Sequence, residues 1–123
     1  MGATSLATLA PRTGGEPRVW AEPVRGDRMS PTLEHMQDYV LCRASDHYEG
    51  EGVYLLRDDL GTPVLFRASS AFNAKKEVRL FGDNMYYGDR FVPKSWFDQH
   101  VIGIVIADIK TRITREMRRL TAT

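Results

Sequence analysis

Apolar residues along this chain recur at every second position or in short unbroken runs, seldom at the three-and-four spacing of a helix. Tyr39-Val40-Leu41-Cys42-Arg43 is a compact β-type run, and Val53-Tyr54-Leu55-Leu56-Arg57 is another. Asp58-Asp59-Leu60-Gly61 has turn composition, so Pro63-Val64-Leu65-Phe66-Arg67 is expected to return as the hairpin partner. Glu77-Val78-Arg79-Leu80-Phe81 alternates polar and apolar, the pattern of a half-buried strand, and Gly82-Asp83-Asn84 ends it. Arg90-Phe91-Val92 is a short strand, and His100 to Ile109 is the longest β run. Order is expected to begin near Val19-Trp20, with Pro23-Val24 a short edge segment. Gly26 to Leu33 is turn-rich and opens at most a helical turn, and Lys110 to Leu120 suits a short terminal helix. Many short strands between frequent turns imply a mainly β fold: a compact, twisted antiparallel structure, partly barrel-like.

Composition adds boundaries. The 123 residues suit one domain, and the 42% apolar and 27% charged fractions are those of an ordinary globular chain. Residues 1–18 are rich in Ala, Thr, Gly and Pro without periodicity and read as an arm or linker; 19–109 form the domain and 110–123 a basic tail. The single cysteine, Cys42, rules out an intrachain disulfide. No apolar run reaches the ~18 residues of a membrane span, and the N-terminus lacks the basic and apolar regions of a signal peptide, so no membrane association and a cytoplasmic location are expected. A net charge of +1 argues against a nucleic-acid grip spread over the whole surface.

Five stretches, in order, carry a resemblance. They are Gly26-Asp27-Arg28-Met29-Ser30-Pro31-Thr32-Leu33, then Asp38-Tyr39-Val40-Leu41, then the hairpin from Gly52 to Arg67. Gly82-Asp83-Asn84-Met85-Tyr86-Tyr87 and Val101-Ile102-Gly103-Ile104-Val105 follow. Together, over about residues 20–109, they resemble the self-cleaving serine peptidase domain of LexA, the SOS-response repressor, and of phage repressors and UmuD proteins. No single stretch is specific; their order and spacing are. The resemblance implies the twisted β fold of that domain and homodimer formation. It also implies service to a transcriptional regulator whose DNA contact belongs to a separate helix-turn-helix domain, a pattern not found in the first 25 residues.

The departures bear on function. The family uses a serine nucleophile and a lysine base whose pKa is lowered by burial. Here the serine's position holds Arg28, and the lysine's, thirty-eight residues later, holds Phe66. A guanidinium stays protonated and a phenyl ring has no proton to move. The resemblance therefore implies a pseudo-peptidase: no catalytic residues, only the vestigial positions Arg28 and Phe66, and no cofactor. The expected function is a non-catalytic dimerisation or protein-interaction domain of a LexA-like or phage-type regulator. The alternative is a stand-alone protein that pairs with a related repressor or peptidase and modulates it. An active self-cleaving peptidase with a displaced nucleophile ranks third.

Other candidates are weighed against plainer readings. Ser30, with Lys75 or Lys76 as a substitute base, would give the displaced nucleophile; the plainer reading is a turn serine and two surface charges. Arg28 is either an anion or partner contact, a salt-bridge partner of Asp27 or Asp38, or an exposed turn residue. His35, His47 and His100 lack metal-ligand spacing, and the acidic segment from Asp46 to Glu51 reads as a solvated loop, so no metal is expected. Tyr86, Tyr87, Phe91, Trp96 and Phe97 suit core or interface packing better than base stacking. In the tail, Ile113, Met117 and Leu120 fall on one stripe among several arginines: an amphipathic terminus, or a phosphate-contacting extension. The expected interaction surface is Val101, Ile102, Ile104 and Ile106 with Trp96 and Phe97.

Overall fold

The structure, a computed structural model, describes residues 18–121. Seven strands form one antiparallel sheet: β1 (Val19–Pro23), β2 (Tyr39–Ala44), β3 (Gly52–Arg57), β4 (Pro63–Ser70), β5 (Glu77–Phe81), β6 (Arg90–Pro93) and β7 (Val101–Ile109). Their spatial order is β1-β2-β7-β3-β4-β5-β6. Two helices complete it, α1 (Lys94–His100) between β6 and β7, and α2 (Thr114–Thr121) after β7. The mainly β architecture agrees with the alternating pattern. The arm expected over residues 1–18 lies, but for Arg18, outside the described residues.

The sheet does not close into a barrel, which corrects the partly barrel-like expectation. β1 and β6 are paired on one side only. Each is short and ends in a proline, Pro23 or Pro93, which has no N–H to offer a further ladder. Each face of the sheet is covered separately instead. Successive residues of β3 divide between two cores, as a period of two requires. Leu55 joins Trp20, Val40, Cys42 and Leu65 under Val24, Met29 and Leu33 of the segment between β1 and β2. Tyr54 and Leu56 join Ala68, Val78, Leu80 and Val92 under Phe97 of α1.

β7 lies inside the sheet, between β2 and β3. Its pairing skips Ile106 against β2 and Ile102 against β3, so it carries a bulge toward each neighbour. Bulges sharpen the local twist, which lets one nine-residue strand serve both cores: Ile102 and Val105 pack on the first, Val101 and Ile104 on the second. Gly103 is required at this crossing, because an added Cβ would stand 2.8 Å from the Arg43 carbonyl oxygen and 3.0 Å from Trp20.

The β3–β4 hairpin forms at the expected turn. Asp58 Oδ1 accepts from the backbone N–H groups of Leu60 and Thr62, both at 2.8 Å, and Gly61 takes a φ of +83°. β4 runs on to Ser70, past the expected end at Arg67. Residues 26–33 close two overlapping turns, Ser30 N–H donating to the Asp27 carbonyl at 3.0 Å and Leu33 N–H to the Met29 carbonyl at 2.9 Å, and no helix follows. α1 was not expected from the pattern. Its seven residues bury one side chain, Phe97, and are tied by the Lys94–Asp98 ion pair at 2.6 Å. Among the described residues no helix is long and apolar enough to cross a membrane.

Candidate functional site

Two segments far apart in sequence meet at the end of β5. Met29 and Leu33, each 1% exposed, root the first turn in the core and hold Asp27 and Arg28 at the surface. The second turn follows β5, where the Asn84 side chain caps the short helical turn Met85–Tyr87 by accepting from Tyr86 N–H at 3.0 Å. Asn84 also joins the two turns: its backbone N–H donates to the Arg28 carbonyl at 2.9 Å, and Nδ2 to the Asp27 carbonyl at 3.1 Å. The phenol of Tyr87 donates to the Asp27 carboxylate. That bond pushes the phenol's pKa up, since ionising it would set two anions together. Gly82 permits the approach: an added Cβ would lie 2.4 Å from the Arg28 carbonyl oxygen and 2.6 Å from its Cγ.

Arg28 and Phe66 are brought into contact. The Arg28 guanidinium carbon lies 4.6 Å from the centroid of Phe66 and 4.4 Å from that of Tyr87, within cation–π distance of both rings. Neither carboxylate suggested by the sequence pairs with Arg28. Asp27 takes the Tyr87 phenol, and Asp38 takes Lys110 at 2.8 Å. Beside this cluster Arg67 forks onto Asp83 through Nε and Nη2, and Thr32 donates to Asp83 Oδ2 at 2.5 Å. The Arg67 hydrogen bond outweighs burial and holds the Asp83 carboxyl below its ordinary range. The arrangement is a cation between aromatic rings, locked on both sides by polar bonds. It can bind or pack, and neither side chain at positions 28 and 66 can supply a nucleophile or a base.

Ser30 donates to Glu34 Oε1 at 2.9 Å, while Lys75 and Lys76 stand exposed in the β4–β5 connection. His47 pairs with Asp46 at 2.8 Å, and Glu49 is held by Arg43 at 2.7 Å and by Ser45. The Arg43 and Ser45 bonds lower the Glu49 pKa to about 2. Among the described residues no three His, Cys, Asp or Glu side chains gather as a metal site.

The expected interaction residues do not share one surface. Phe97 is fully buried, edge-on to Tyr48 and Tyr54, so it has no surface to offer a partner, and that part of the expectation is corrected. Its helix, unseen in the sequence, turns it inward. Trp96 is half-buried, stacked on the His100 ring with a centroid separation of 3.9 Å and covered by Arg90. Val101, Ile102 and Ile104 are partly buried against the two cores, and only Ile106, 50% exposed, faces outward. Tyr87 belongs both to the aromatic stretch and to the Gly82–Tyr87 segment of the resemblance, but neither pointed to Arg28; its place over that guanidinium depends on the Gly82 turn.

No family model matches the chain, and no curated protein matches it.

Proposed function

We propose that this chain is a non-catalytic dimerisation and protein-interaction domain of a LexA-like or phage-type transcriptional regulator, a pseudo-peptidase working in the cytoplasm. One observation carries the reading. The resemblance aligns Arg28 with a nucleophile and Phe66 with its base, and these side chains, thirty-eight residues apart in sequence, touch in space. A mistaken alignment has no reason to select two residues in contact. The flanking turns support it, since the Gly82–Tyr87 segment and the Gly26–Leu33 segment, both part of the resemblance, are bonded to each other.

On this reading the cation–π cluster fills the space of a dyad. A buried lysine amine is costly to desolvate, and an aromatic ring under a guanidinium avoids that cost while tying the first turn to β4. DNA contact would come from a separate domain. The test is intact mass after prolonged incubation at neutral and alkaline pH, where a lysine-dependent self-cleavage would be fastest. The expected result is an unchanged mass. Discrete fragments, abolished by substituting Ser30, would establish a displaced nucleophile and overturn the non-catalytic reading.

A further inference from the structure

The sheet has one stretch of face that no core covers. Along β4, β5 and β6, Ala68, Val78, Leu80 and Val92 turn into the second core beneath α1. The alternate residues turn the other way, and on that side the first core buries no side chain of these strands beyond Leu65. Cross-strand register sets Ser69 beside Arg79, and Arg79 beside Phe91, in one row. That row floors an open groove of about 480 Å³, walled by Tyr48 and Glu51 from the β2–β3 connection and by Phe72 from the β4–β5 turn.

Phe72 is the costly feature of this groove. It is 92% exposed and holds a φ of +54°, a left-handed conformation that a bulky residue rarely adopts. The turn imposes it. The Phe72 N–H donates to Ser70 Oγ at 3.1 Å, and the Ala71 N–H to the Glu77 carbonyl at 3.0 Å. Asn73 Nδ2 donates to the Glu77 carboxylate at 2.9 Å, and the Glu77 N–H returns to Asn73 Oδ1 at 3.1 Å. Glycine would take this backbone without strain and without setting an apolar ring in water. Phe91, 50% exposed, supplies a second ring, and neither ring packs on another aromatic among the described residues.

Charge selects the occupant. Arg79 is already satisfied: its Nε donates to Asp89 at 2.7 Å, and its guanidinium lies 4.0 Å over the centroid of Phe81. Phe81 sits beside Arg67, not Ser69, so that cation is drawn along β5 away from the middle of the row. Lys76 lines a separate hollow with Lys94. The Glu51 carboxylate stands exposed with no ion-pair partner among the described residues. Its charge adds to burial in raising the pKa of the Tyr48 phenol. Exposed rings beside an unpaired carboxylate attract a cation.

We infer that this groove binds an arginine side chain of a partner protein, the guanidinium lying on the exposed phenylalanine rings with Glu51 as its counter-charge. A guanidinium is planar and weakly hydrated, and it stacks and forks at once, which an ammonium cannot do. The groove is too open to enclose a free small molecule, so a side chain presented by a polypeptide is the occupant it fits. The site shares no residue with the Arg28–Phe66 cluster and stands whether or not those positions descend from a dyad.

The test is a titration of the isotope-labelled full chain, followed by backbone amide shifts at low ionic strength, where an exposed ion pair is least screened. The probes are N-acetyl-arginine amide, its lysine and citrulline counterparts, and tetramethylammonium. Citrulline keeps the shape of arginine and lacks its charge. Saturable shifts at Glu51, Ser69, Phe72 and Phe91 are expected with the arginine probe at millimolar concentration, weaker with lysine and absent with citrulline. Glu51→Gln and Phe91→Ala are each expected to weaken binding about two- to fivefold. Phe72→Gly separates site from scaffold. It relieves the left-handed strain, so it is expected to unfold no earlier than wild type on heating, while its binding weakens by a similar factor. Equal shifts with citrulline, no saturable shift at the groove, or unaltered binding in Phe72→Gly and Phe91→Ala would overturn the inference. Tighter binding of tetramethylammonium than of the arginine probe would overturn the arginine assignment in favour of a quaternary ammonium ligand.

Discussion

Replacing Phe66 with lysine restores the residue that the resemblance expects at that position, and the structure says it is unwelcome there. Three terms act in one direction. Phe66 is partly buried and packs on the second core, so the loss of its ring forfeits about 1–2 kcal/mol, part of the ~1.5–3 kcal/mol for a fully buried ring. The Arg28 cation–π contact adds ~0.5–1 kcal/mol. An ammonium about 5 Å from the guanidinium adds ~1–2 kcal/mol of repulsion at an intermediate dielectric. Lysine bends its amine toward water and recovers part of this. The net expectation is a loss of about 2–4 kcal/mol, read by urea unfolding at one fixed protein concentration. A double-mutant cycle isolates the contact. Arg28→Ser removes the repulsion, so the double variant is expected to be less destabilised than the two singles summed, by about 1–2 kcal/mol. Additivity within ~0.5 kcal/mol would mean that the two side chains do not interact, and the argument from their contact would fail.

Two further substitutions probe how the site is held. Gly103→Ala drives a methyl against the Arg43 carbonyl and Trp20, so a loss of about 1–3 kcal/mol is expected from the urea midpoint; a neutral result would contradict the crossing geometry. Lys110→Met leaves Asp38, 3% exposed, with only the backbone bonds of Glu34 and Thr111 and no counter-charge, for an expected cost of about 1–3 kcal/mol at pH 7. Burial alone would raise the Asp38 pKa, but Lys110 and the backbone bonds of Glu34 and Thr111 together hold it below its ordinary value. A depressed carboxyl stabilises the fold above its unfolded pKa and loses that contribution as pH falls through the folded one. Without Lys110 the carboxyl becomes easier to protonate, so the deficit of the variant is expected to shrink as pH falls below the ordinary aspartate range. A deficit independent of pH would show that the ion pair does not set it.

The strands were legible because each is only half-buried or bounded by turn residues, and a period of two survives both conditions. The closure of the sheet was not. Whether seven strands curl shut depends on what covers each face, and Val24, Met29 and Leu33 do that from a segment with no periodicity. α1 was hidden for a related reason. Seven residues burying Phe97 alone leave no helical repeat to detect, and the pattern did not separate core from interface for the Trp96-Phe97 pair, one ring of which points inward and the other of which is half-covered. The pairing of positions 28 and 66 was legible only through the resemblance. Nothing local announces that Arg28 stacks on Phe66; that follows from Gly82 letting the Arg28 backbone in and from Asn84 bonding it there.

The central claim, a domain that dimerises and does no chemistry, is tested most directly by molar mass in solution from light scattering across a concentration series. The account predicts a species of about twice the 14.0 kDa chain mass that persists on dilution toward low micromolar protein. A mass equal to one chain at every concentration would contradict it.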